Sequence, residues 1–145
     1  MTIAIQNRQR TIVICTATIK RHVQRAMTYL GCADRELSVV FGSDRLLQTL
    51  NRDYRQQDRP TNVLAFPQSG ICANAPVSPL LGDVIVSLPM AGREAYHLQQ
   101  SLEERVTFLI IHGLLHLLGY DHDRSLPERR RMEALEAEVM QYLKR

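Results

Sequence analysis

Three histidines in the stretch HGLLHLLGYDH stand at i, i+4 and i+10: His112, His116 and His122. The first two are about one helical turn apart, so their rings share a face, with Cβ atoms about 6 Å apart. Two imidazoles at that spacing reach one metal ion. Gly119 accepts a left-handed backbone without steric cost, so the chain can leave the helix sharply and bring His122 back beside the pair. Three neutral imidazoles suit zinc, with bonds of about 2.0–2.1 Å, and they leave a fourth position for water or substrate. Structural zinc is closed by four protein ligands, and no fourth ligand is spaced to close this set. Three imidazoles also accept nickel or copper. The competing reading is a pair of core histidines satisfied by hydrogen bonds. The helix around them is otherwise apolar, however, and burying two unpaired polar rings is costly. His22 and His97 have no such company and read as surface or packing residues.

The spacing matches the long zinc-peptidase signature H-E-x-x-H-x-x-G-x-x-H in all but one letter, because Gly113 stands where that signature has glutamate. The glutamate takes a proton from the zinc-activated water and passes it to the leaving amine. Glycine can do neither, and nothing in the spacing sets Asp121 or Asp123 in its place. Peptide hydrolysis is therefore disfavoured. Phosphodiester cleavage makes a different demand. RNA carries its own 2′-OH nucleophile, and the protein has mainly to neutralise charge on the phosphate, which a Lewis-acidic metal and an arginine can do.

The elements that must hold these residues follow from period and punctuation. TIAIQ (2–6), LSVVFGS (37–43), VLAF (63–66) and GDVIVS (82–87) read as four short strands. From Thr16, Ile19, Val23, Ala26, Met27 and Leu30 make a helical stripe that Gly31 stops, with Arg21, Gln24, Arg25 and Thr28 on a solvated or phosphate-facing side. DRLLQTLN (44–51) is a brief helix, and a further one covers about 91–99. Pro67 and Pro89 end the third and fourth strands, and QSGICANAPVSPL (68–80) is a surface loop. Ser101 with Glu104 and Ser125 with Glu128 are capping-box signatures for the last two helices. VTFLIIHGLLHLL is apolar on every side beyond its charged first turn, which predicts a central helix. Met132, Leu135, Val139 and Leu143 give the final helix one buried stripe. Strands early and helices late predict an α+β fold.

With 145 residues, a single domain over 1–145 is expected. Hydrophobic residues at 45% and charged residues at 23% fit a globular protein, and no apolar run of about 18 residues could span a membrane. MTIAIQNRQRTIVIC does not read as a secretory signal. Cys15, Cys32 and Cys72 form no C-x-x-C pair and fit reduced thiols. Together these predict a cytoplasmic protein. The net charge is only +3, but the basic residues are nearly all arginine, whose planar fork suits phosphate.

HGLLHLLGYDH, the upstream RDYRQQDRPTNVLAFP and LLGDVIVS together, in that order, resemble the YbeY-type endoribonucleases, the bacterial rRNA maturation factors. The resemblance covers essentially the whole chain. It implies a zincin-like α+β domain with a mixed sheet of about four strands, about five helices and the metal site on a central helix. It also implies a zinc-dependent, single-strand-specific endoribonuclease acting in 16S rRNA 3′-end maturation and ribosome quality control. Its partners would be single-stranded rRNA and the small ribosomal subunit with an associated ribosomal protein or GTPase. By motif, one zinc ion falls to His112, His116 and His122, and the functional arginine falls on Arg55. There a guanidinium could hold the scissile phosphate by two parallel hydrogen bonds, the alternative being a salt bridge to Asp58. Asp83 matches the LGD block and is either a strand-capping carboxylate or a partner contact. A non-catalytic zinc-containing assembly factor and a zincin-type peptidase are the alternative functions.

Overall fold

A computed structural model describes residues 3–68, 79–121 and 123–145. The start of the first strand at Thr2, most of the 68–80 loop with Cys72, and His122 fall outside the described residues. The elements are β1 (Ile3–Asn7), α1 (Thr16–Tyr29), β2 (Glu36–Gly42), α2 (Asp44–Arg55), β3 (Val63–Pro67), β4 (Leu80–Ser87), α3 (Leu88–Leu98), α4 (Leu102–Leu117) and α5 (Leu126–Leu143). The sheet runs β1-β2-β4-β3, with β1, β2 and β4 parallel and β3 antiparallel to β4. Among the described residues this is the expected α+β fold, with a four-stranded mixed sheet and five helices. No helix among the described residues is long and apolar enough to cross a membrane.

Side chains alternate across the sheet, and the two faces are covered differently. Val84 and Val86 of β4 pack with Leu37, Val39 and Phe41 against α1, α3 and α4. Ile85, between them, faces the other way, onto Leu47 of α2 and Leu64 of β3. Helix α4 is buried on two sides. Val106, Leu109, Ile110 and Leu114 join the main core, and Ile111 and Leu115 meet Ala26 of α1 and Met132 and Val139 of α5. Phe108, His112, His116, Leu117 and Leu118 are half-buried along that stretch and its other residues are buried, so the apolar-all-round reading of this helix holds.

Several boundaries differ from expectation for local reasons. Helix α2 runs on to Arg55 and stops where Gln56 turns left-handed (φ 55°), because nothing in LNRDYR breaks a helix. Pro89 does not end β4. It sits in the first turn of α3, where a missing N–H costs nothing, and Ser87 caps that turn by accepting from the Met90 N–H. The face of α1 read as solvated is partly used: the Arg25 guanidinium donates to the carbonyls of Leu143, Tyr142 and Arg145 and lies over the Tyr142 ring. A cation there satisfies the open carbonyls at the end of α5.

Candidate active site

An open groove of about 910 Å³ runs between α4 and the exposed edge of β3. Its inner wall is Val63–Pro67 with His112, Gly113 and His116. Its outer walls are the end of α2 with the following loop on one side and Gly119, Tyr120, Asp121, Asp123 and Arg124 on the other.

The two histidines stand on α4 as their spacing requires, with ring centroids 4.8 Å apart and planes at 75°. The turn beyond them is a Schellman motif: Tyr120 N–H bonds to Leu115 O at 3.0 Å and Gly119 N–H to His116 O at 3.0 Å, with Gly119 at φ +103°. That reversal lays Tyr120, Asp121 and Asp123 along the same groove. Asp123 N–H also donates to Asp121 Oδ1 at 2.8 Å, which tightens the turn. The third sequence-predicted ligand, His122, lies outside the described residues, but the residues on either side of it both line the groove.

Gly113 has a steric reason. A Cβ there would stand 2.8 and 3.0 Å from the two methyl carbons of Val84, so α4 sits directly on β4. A glutamate at this position would force the helix off the sheet. The residue that a peptidase needs is thus absent where the packing leaves no room for it. Gly82 of the LGD block has a similar cause: at φ +150°, its Cβ would lie 2.3 Å from Phe66 O, the β3 backbone.

Arg55 is the last residue of α2, and it projects from an exposed helix end into the groove. Its guanidinium makes no hydrogen bond or ion pair among the described residues. Asp58, the partner considered for it, accepts instead from Gln48 Nε2 at 3.1 Å. The loop after it is tied down by Asn51, which is 3% exposed and donates from Nδ2 to Arg59 O at 3.0 Å. Arg59 also lines the groove, its fork resting on Gln57 Oε1. Asp83 is not brought there. It shares the face of Ile85, toward α2 and away from the histidines, and it is absent from the groove wall.

Sequence reasoning missed Glu136. This α5 residue is only 4% exposed, and both its carboxylate oxygens lie 3.3 Å from His112 Nδ1. A histidine backed by a carboxylate through its second nitrogen is the usual arrangement behind a metal-ligating imidazole, so the residues present fit a metal. The signal was available in principle, as one acidic letter inside the apolar stripe of α5, but its partner is 24 residues away.

Comparison with known proteins agrees over nearly the whole chain. The family model for Endoribonuclease YbeY matches residues 4–144. Endoribonuclease YbeY of Geobacter metallireducens is 44% identical over 100% of this chain and 97% of its own length. That of Syntrophotalea carbinolica is 45% identical, covering 94% and 92%. The solution structure of TM1509 from Thermotoga maritima superposes with a TM-score of 0.66 over 98% of this chain and 89% of that one, at 22% identity, which speaks for the fold. With this sequence coverage, and with the histidine and arginine blocks meeting in one groove, the chain belongs to the Endoribonuclease YbeY family.

Proposed function

We propose that this protein is a metal-dependent endoribonuclease that cuts single-stranded RNA in the α4–β3 groove, with one zinc ion held by His112, His116 and His122. The observation that carries this reading is the meeting of the His112–His116 pair and the uncommitted Arg55 guanidinium in one open groove, in a chain of this family. When bound, zinc supplies Lewis-acid stabilisation of charge on the phosphate. Arg55 binds the scissile phosphate through two parallel N–H bonds and opposes the negative charge that grows on it. Asn51 keeps the loop that follows Arg55 from swinging away. Gly113 leaves no side chain to act as a peptidase base, which argues against peptide cleavage. The substrate proposed is the 3′ end of 16S rRNA on the small ribosomal subunit, in the cytoplasm. Asp83, on the far face of the sheet, is then available for a ribosomal protein or GTPase rather than for RNA.

The test is cleavage of a single-stranded RNA carrying a 16S 3′-end sequence by wild type, His116→Ala and Arg55→Ala, with and without chelator. Cleavage by wild type alone, lost on chelation and restored by zinc, is the expected result. Equal cleavage by all three identifies a contaminating nuclease. No cleavage by any of them moves the reading to a non-catalytic assembly factor.

A further inference from the structure

The final helix carries one acidic residue on its buried face. Met132, Val139 and Glu136 are its three buried positions, and the first two pack apolar groups against α4 and α1. A leucine or methionine at 136 would complete that seam with no desolvation penalty, whereas a carboxylate taken out of water costs several kcal/mol unless it is paired. Stability alone therefore does not account for Glu136. The half-buried Glu94, by contrast, meets a permanent cation, pairing with Arg105 at 2.9 Å, and accepts from Asn62. Glu136 meets only an imidazole among the described residues, and it meets it through both oxygens, each 3.3 Å from Nδ1 of His112.

We infer that Glu136 is the positioning residue of the histidine site: it sets the tautomer and the ring orientation of His112 from outside the groove. A carboxylate can only accept, so Nδ1 carries the proton and donates it to Glu136. The lone pair is thereby assigned to Nε2, and the ring is clamped between α4 and α5 with that nitrogen as the one able to bind a metal. The same contact makes the C-terminal helix part of the site, although α5 contributes no residue to the groove wall itself. This inference rests on the metal reading proposed above, and the experiment separates the two.

Glu136→Leu and Glu136→Gln are compared with wild type by two measurements. The first is zinc affinity in competition with a chromophoric chelator. The second is the ring ¹⁵N shift of His112 in metal-free protein, at a pH where the imidazole is neutral. Glu136→Leu is expected to fold with at least wild-type stability, to lose the single Nδ1–H tautomer for a mixture, and to bind zinc about 10–100-fold more weakly. Glu136→Gln keeps an acceptor of the same shape, so it should hold the tautomer and lie between the two in affinity. It also remains informative if the leucine variant does not fold. Zinc affinities within about twofold of wild type, with an unchanged tautomer in Glu136→Leu, would overturn the inference and leave Glu136 a packing residue. If wild type itself takes no zinc, the metal reading falls, and the tautomer measurement on metal-free protein still decides the role of Glu136.

Discussion

The two walls of the groove are built in opposite ways. The histidine wall is part of the core: His112 and His116 project from a helix buried on both flanks, and a buried carboxylate on a third element backs one ring. The arginine wall hangs from a helix end. Arg55 is exposed and makes no side-chain bond among the described residues, and one asparagine anchors the loop beyond it. A metal ligand must arrive at a fixed distance and angle, which only close packing enforces. A phosphate clamp tolerates motion until substrate is present, and a guanidinium with no prior partner loses none on binding it. On the function proposed above, precision on one wall and availability on the other would divide the work of the site.

The largest effects should come from cutting each wall at its centre, and they should differ in kind. His116→Ala is expected to abolish zinc binding and RNA cleavage together. Arg55→Ala should lower kcat by about 10²–10³-fold, the cost of removing one group that stabilises transition-state charge, while zinc affinity measured by chelator competition stays unchanged. A loss of zinc in Arg55→Ala would mean that the walls are not independent. Gly113→Glu restores the peptidase letter but drives a side chain into Val84. It should cost about 1–3 kcal/mol of stability in denaturant unfolding and yield no peptide cleavage. A stable variant would show that α4 can move off β4.

Asn51→Ala sharpens the contrast on the arginine side. It strands the Arg59 carbonyl and should cost about 1–2 kcal/mol, with a higher KM for RNA and unchanged zinc affinity. The smallest effect tests a position remote from both walls. Burial first, then the charges of Arg21 and Arg25, hold the His22 imidazole below its ordinary 6.5. As pH falls, the unfolded chain takes that proton before the folded one does. Stability is therefore fully present above 6.5 and declines as pH drops through the lowered folded value. His22→Gln should flatten that part of the stability–pH curve slightly, read from denaturant midpoints on either side of 6.5. No flattening would place the acid sensitivity elsewhere.

Much of what depends on near neighbours was legible in the letters, although the run of α2 to Arg55 and the place of Pro89 in the first turn of α3 were not. Ser101 and Ser125 cap their helices with bonds to Glu104 N–H and Glu128 N–H, and Gly119 turns the chain as its lack of a Cβ allows. The i, i+4 histidines face one way because a helix has 3.6 residues per turn. These are relations within a turn or two, set by local backbone geometry. What required the tertiary structure was every relation between elements. Glu136 reaches His112 across two helices, and Arg25 closes the end of α5 from more than a hundred residues away. Asp83 and the histidines sit on opposite faces of one sheet. Gly113 is glycine because of Val84, a side chain on a different strand. No spacing in the sequence encodes such contacts, since they exist only once the sheet order and the packing of α4 between α1, α5 and β4 have brought distant residues together.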